Sequence, residues 1–99
     1  MKLRERKMNM IDFRNYTAEI NTVREYRNAK EAEAGRNIRY TTSDAFDMFR
    51  ADIRAGQARD YNTGGALPGF DFAGLKVQWD AMTEAQQFQA ISDYIDSRK

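Results

Sequence analysis

The chain has 99 residues, no cysteine, no histidine and a formal net charge of +1. Those absences exclude thiolate nucleophiles, imidazole proton shuttles and the usual zinc ligand sets. The near balance of charge removes the electrostatic drive that makes nucleic acid a default partner.

The length is that of one domain with a modest core. Only three leucines and two valines are present, against six Phe, five Tyr and one Trp. The core is therefore expected to rest on aromatic rings, each of which covers a large area. Charge is uneven along the chain. Residues 1–59 carry thirteen Lys/Arg against nine Asp/Glu, and residues 60–99 carry three against six. Eleven of the sixteen basic residues are arginine, whose planar fork suits carboxylates, phosphates and aromatic faces.

Residues 1–11 read as a basic arm or frayed start, and 12–99 as a single globular domain. The first residues have the charge of a secretory leader without the apolar stretch that should follow. No apolar run approaches the length of a membrane span. A cytoplasmic protein is the expectation, and missing cysteines fit a reducing compartment.

Asp12 is the expected cap of a first helix over 12–34. Phe13, Tyr16, Ile20 and Val23 share its apolar face, and Gly35 is a natural stop. Arg27 falls on the same seam. It either snorkels past the core edge or marks a surface that meets another molecule. Residues 37–41 alternate polar and apolar, which fits a short strand or an extended connector. Thr42 and Ser43 are the expected caps of a second helix over 43–55, with Asp44 and Asp47 in its first turn. Phe46, Phe49 and Ile53 line its buried side, and Gly56 closes it.

Residues 56–76 hold five of the six glycines and the only proline, so a long loop is expected. Phe70 and Phe72 fold part of it back onto the core. Leu75, Val77 and Trp79 alternate, which reads as a second short strand able to pair with 37–41. Thr83, with Gln86 three residues on, matches a capping box opening a last helix over 82–97. Phe88, Ile91 and Ile95 form its expected core stripe, with Tyr94 at the edge. The fold class is therefore mainly α: about three helices around a small aromatic-rich core, with room for a minor two-stranded β element at 37–41 and 75–79. Trp79 is expected to plug that core.

Motifs for chemistry are sparse. Asp60, Asn62 and Asp71 have the spacing of calcium-loop positions one, three and twelve, with Gly65 at the sharp turn. Gly64 at the fifth position, Pro68 at the ninth and Asp in place of the final Glu argue for a plain turn-rich loop. The pairs Asp44/Asp47 and Asp93/Asp96 read as capping and surface carboxylates. Neither Ser43 nor Ser92 has a base assigned to it by the pattern. No catalytic residue, metal or cofactor is expected.

Arg36, Arg39, Tyr40, Arg50, Arg54, Arg59 and Tyr61 form the one basic and aromatic set, and they are the interaction candidates. Such residues dominate protein interfaces and also clamp nucleic acid. A small domain with mixed charge and no reactive side chains has the profile of phage and mobile-element accessory proteins. The expected function is thus a non-enzymatic inhibitor or adaptor acting on a host protein or nucleoprotein, of which an anti-CRISPR protein is one form. A nucleic-acid-binding regulator is the second reading, and a small enzyme or calcium-binding module the third. No membrane partner is expected.

Overall fold

Asp12 caps the first turn as expected: its side chain accepts the Arg14 backbone N–H at 3.0 Å. The computed structural model describes residues 10–58 and 69–99. A 3-10 turn, Phe13–Tyr16, leads into α1, Thr17–Glu33. The remaining helices are α2, Thr42–Ala55, α3, Phe72–Ala81, and α4, Glu84–Ser97. The class is mainly helical, as the apolar periodicity predicts.

Local chemistry sets the helix ends. α2 opens with a capping box between Thr41 and Asp44, one residue before the expected Thr42. α4 opens with the expected box between Thr83 and Gln86. α1 and α2 both end with a glycine at φ +76°, a left-handed conformation that costs glycine no steric clash. After α1, the Arg36 N–H reaches the Glu31 carbonyl and the Gly35 N–H reaches that of Ala32. After α2, Gln57 and Gly56 bond Asp52 and Ile53 in the same way. Both ends are Schellman motifs, which satisfy carbonyls that the helix leaves orphaned.

Residues 37–41 follow the connector alternative, and residues 75–79 form helix where the alternation reads as a strand. No strand forms among the described residues. Residues 37–41 are extended, but a side chain takes the place of a strand partner. The Asn28 amide accepts the Tyr40 N–H at 2.6 Å and donates to the Tyr40 carbonyl at 3.2 Å. Residues 75–79 lie within α3. Leu75 and Trp79 satisfy a period of two and also a step of four. Phe72, three residues before Leu75, tips the choice, and all three are buried on one helix face. Val77 is left 71 % exposed. Asp71 caps α3 by accepting the Gly74 N–H at 2.9 Å. A Cβ on Gly74 would lie 2.4 Å from that carboxylate, so the close cap needs glycine here.

The core is aromatic, as the scarcity of aliphatic residues predicts. The Phe13 ring stands edge-on to Phe46 at 5.0 Å and lies 5.7 Å from Trp79. Phe49, fully buried, meets Tyr16, Phe70 and Phe72 at 5.5–6.0 Å. Each such pair adds about 0.5–1.5 kcal/mol beyond the area it buries. α2 packs between α1 and α3, and α4 packs against the 3-10 turn.

α4 is rotated from its expected orientation. Ala90 and Tyr94 are buried, and Ile91 only partly. Phe88 is 71 % exposed and Ile95 47 %. Tyr94 decides the rotation, because its ring lies on Phe46 with centroids 4.2 Å apart and planes 30° apart. Phe88 and Ile95 therefore do not join the core. Among the described residues, no helix is long and apolar enough to cross a membrane.

Candidate binding surface

The described members of the basic and aromatic set fall in two places. Arg36, Arg39 and Tyr40 lie in the connection between α1 and α2. Arg50 and Arg54 lie in the last turns of α2, and at 1.5 Å rise per residue Arg54 is about 18 Å along that helix from its start. Arg59 and Tyr61 lie outside the described residues, as do Asp60, Asn62 and Gly65 of the calcium-like spacing.

Several of these side chains are occupied within the chain. Glu31, at the end of α1, is fully buried. Arg36 Nε donates to its Oε1 at 2.5 Å, and the Tyr40 hydroxyl donates to its Oε2 at 2.8 Å. Burial pushes the Glu31 carboxyl up, but those two hydrogen bonds outweigh it and hold the group below its ordinary range. The same bond to Glu31, aided by burial, raises the Tyr40 phenol. The residues thus clamp the connection onto α1. Arg50 pairs with Asp47 and lies over the Phe46 ring at 4.7 Å, so its stem and charge are partly spent on the core edge. Arg39 and Arg54 are exposed and form no ion pair with another described residue.

Arg27 is neither snorkelling nor facing a partner. It is 1 % exposed, with Nη2 3.3 Å from Asp52 Oδ2 and Nη1 3.1 Å from Met48 Sδ. Asp52 is itself fully buried.

The carboxylate pairs also have structural occupations. Asp44 closes its capping box, Asp47 holds Arg50, Asp93 accepts from Gln89 at 2.7 Å, and Asp96 faces Lys99 at 3.5 Å. Asp71, the last of the calcium-like positions, caps α3. Among the described residues, no group of three or more acidic, cysteine or histidine side chains is gathered that could hold a metal ion.

The hollows lined by described residues include two open ones. One, of about 280 Å³, runs between Met10–Asp12 and α4 and is lined by Arg14, Ala90 and Asp93. The other, of about 210 Å³, lies between Tyr16, Phe70 and Leu75. Burial raises the Tyr16 phenol above its ordinary value, with a smaller push from Glu19.

The feature that the sequence reading misses is the outward apolar edge of α4. Phe88, the half-buried Ile91 and Ile95 follow one another over about two helical turns along one flank. Periodicity identifies these residues as one stripe but assigns the stripe to the core. The available signal was Tyr94, whose ring can fill the space beside Phe46 and displace the stripe outward. No family model, no curated protein and no solved structure matches the chain.

Proposed function

We propose that the protein is a small non-enzymatic protein-binding module: an inhibitor or adaptor that acts in the cytoplasm on a host protein or nucleoprotein, as phage and mobile-element accessory proteins do, anti-CRISPR proteins among them. The observation that carries the protein-binding reading is the outward apolar edge of α4. Phe88 at 71 % and Ile95 at 47 % exposure gain from burial against another apolar surface. A phosphate backbone offers them nothing comparable. The arginines support the same choice. Arg36 and Arg50 pair internally, so their charge is partly neutralised before any phosphate is met. The phage or mobile-element setting draws its support from size, mixed charge and the lack of reactive side chains.

The test is capture of partners from host lysate on immobilised protein, with and without nuclease. Capture should survive nuclease, fall off only gently with salt, and be lost when Phe88→Asp and Ile95→Asp are combined. Loss of capture on nuclease treatment would overturn the reading. So would tight binding of generic DNA or RNA whose affinity falls steeply and linearly in log salt. Either result would favour a nucleic-acid-binding regulator.

A further inference from the structure

The stripe on α4 has a symmetry of its own. Glu84, Phe88, Ile91, Ile95 and Arg98 follow one another at steps of four, three, four and three residues. That alternation is the seam of a two-helix coiled coil. Its middle is apolar and its ends are charged, acid at the start of the helix and base at the finish. Glu84 and Arg98 are exposed and form no ion pair with another described residue. Arg98 is held at the end of the seam by the Tyr94 ring, 5.7 Å from its guanidinium carbon.

Reversing this pattern brings its ends into coincidence and its inner apolar positions to within one residue of each other. Turned end for end about Ile91, acid falls on base and Phe88 falls beside Ile95. We infer that the apolar edge of α4 is covered by the same edge of a second copy, running antiparallel about a two-fold axis near Ile91. In that pairing Phe88 packs beside the partner subunit's Ile95, and Glu84 lies beside the partner subunit's Arg98. The contact is isologous, so each favourable pair occurs twice. A parallel arrangement would set Glu84 against its own copy and Arg98 against its own copy, and would align the two helix dipoles unfavourably. The inference rests on the reading of α4 as a protein-binding edge and names what binds there. A host partner that takes this edge competes with the second copy for it.

The seam is only about 20 Å long at 1.5 Å per residue, so the dimer should be weak. Sedimentation equilibrium from about 10 µM to about 1 mM covers the affinities expected of so small an interface. Wild-type protein should pass from monomer to dimer in this range, and Phe88→Glu should stay monomeric. Glu84→Arg and Arg98→Glu should each weaken association by about tenfold, since each places like charges together twice. The double variant Glu84→Arg/Arg98→Glu should recover it. Mixing the two single variants should give a heterodimer tighter than either variant alone, and thermal melts of each variant establish that all are folded. A wild type that remains monomeric throughout would overturn the inference. So would a dimer indifferent to the charge exchange. A monomer that still captures a nuclease-resistant partner through Phe88 would overturn self-pairing while leaving the protein-binding reading in place. A charge-sensitive dimer that captures no host protein would support self-pairing and overturn the host-directed reading.

Discussion

The hairpin of α1 and α2 buries charges, whereas α4 exposes large apolar side chains. Arg27, Glu31 and Asp52 are at most 1 % exposed, yet Phe88 is 71 % exposed. A rule that puts apolar residues inside and charges outside fails in both directions within one small chain. The hairpin tolerates its charges because each has a partner of opposite sign: Asp52 for Arg27, and Arg36 for Glu31. Both acids lie four residues before the left-handed glycine that marks a helix end, where the helix dipole disfavours anions. The arginines offset that penalty. On α4 the space beside Phe46 is already filled by Tyr94. No position on the core face remains for Phe88 or Ile95. The lesson is that burial follows from pairing and available space, and hydropathy alone decides neither.

The contrast can be broken most severely at the buried pair. Arg27→Ala should destabilise the protein by about 3–5 kcal/mol, because a buried ion pair loses one of its members. Joint replacement, Arg27→Met with Asp52→Leu, should recover most of that loss. Urea midpoints with unchanged slope measure both effects. A small loss in the single variant would mean that Asp52 finds water or another partner.

The Glu31 clamp has a pH signature. Its carboxyl is held below the ordinary value of 4.5 in the folded protein. As pH falls, the unfolded chain therefore takes up this proton first. The contribution of Glu31 is full above the unfolded value and disappears as pH drops through the folded one. Glu31→Gln should be clearly less stable than wild type at about pH 7, with the gap narrowing toward about pH 3. An equal gap at both extremes would show that the ionised carboxylate is not what holds Arg36 and Tyr40.

The smallest effect is expected at the opposite end of the comparison. Phe88→Asp should change folding stability by less than about 0.5 kcal/mol, as exposed substitutions generally do. At a core phenylalanine the same kind of loss costs about 3–5 kcal/mol. A thermal or urea melt at concentrations below any self-association checks this. A large loss would place Phe88 in the core after all and remove the basis for a binding edge on α4.

Much of the helical frame is legible without the structure, because its signals are local. Asp12, Gly35, Gly56 and the Thr83–Gln86 box act through their own backbone neighbours, and each lies where its chemistry places it. The aromatic character of the core also follows from composition, since little else is available to fill it. α3 is ambiguous because Leu75 and Trp79 fit a strand and a helix equally. Only the contact of Phe72 with Phe49 and Phe70 makes the helical face worth burying. The candidate surface is less legible. Arg36 and Tyr40 look like contact residues, but Glu31 claims both once the chain turns back from α1. Residue type reveals what a side chain can bind, and the tertiary arrangement reveals whether something inside the molecule has already bound it.

By itself, then, the sequence determined a mainly helical chain, its capped ends, its aromatic core and its lack of thiol and imidazole chemistry. Each of these depends on composition or on interactions between residues close in sequence. Tertiary structure alone decided that Arg27 and Asp52 meet across 25 positions and that α4 turns its apolar stripe outward. Those outcomes depend on which surfaces face each other across the core. The 100° advance per residue of a helix describes a stripe, but a neighbour must supply the direction in which the stripe points.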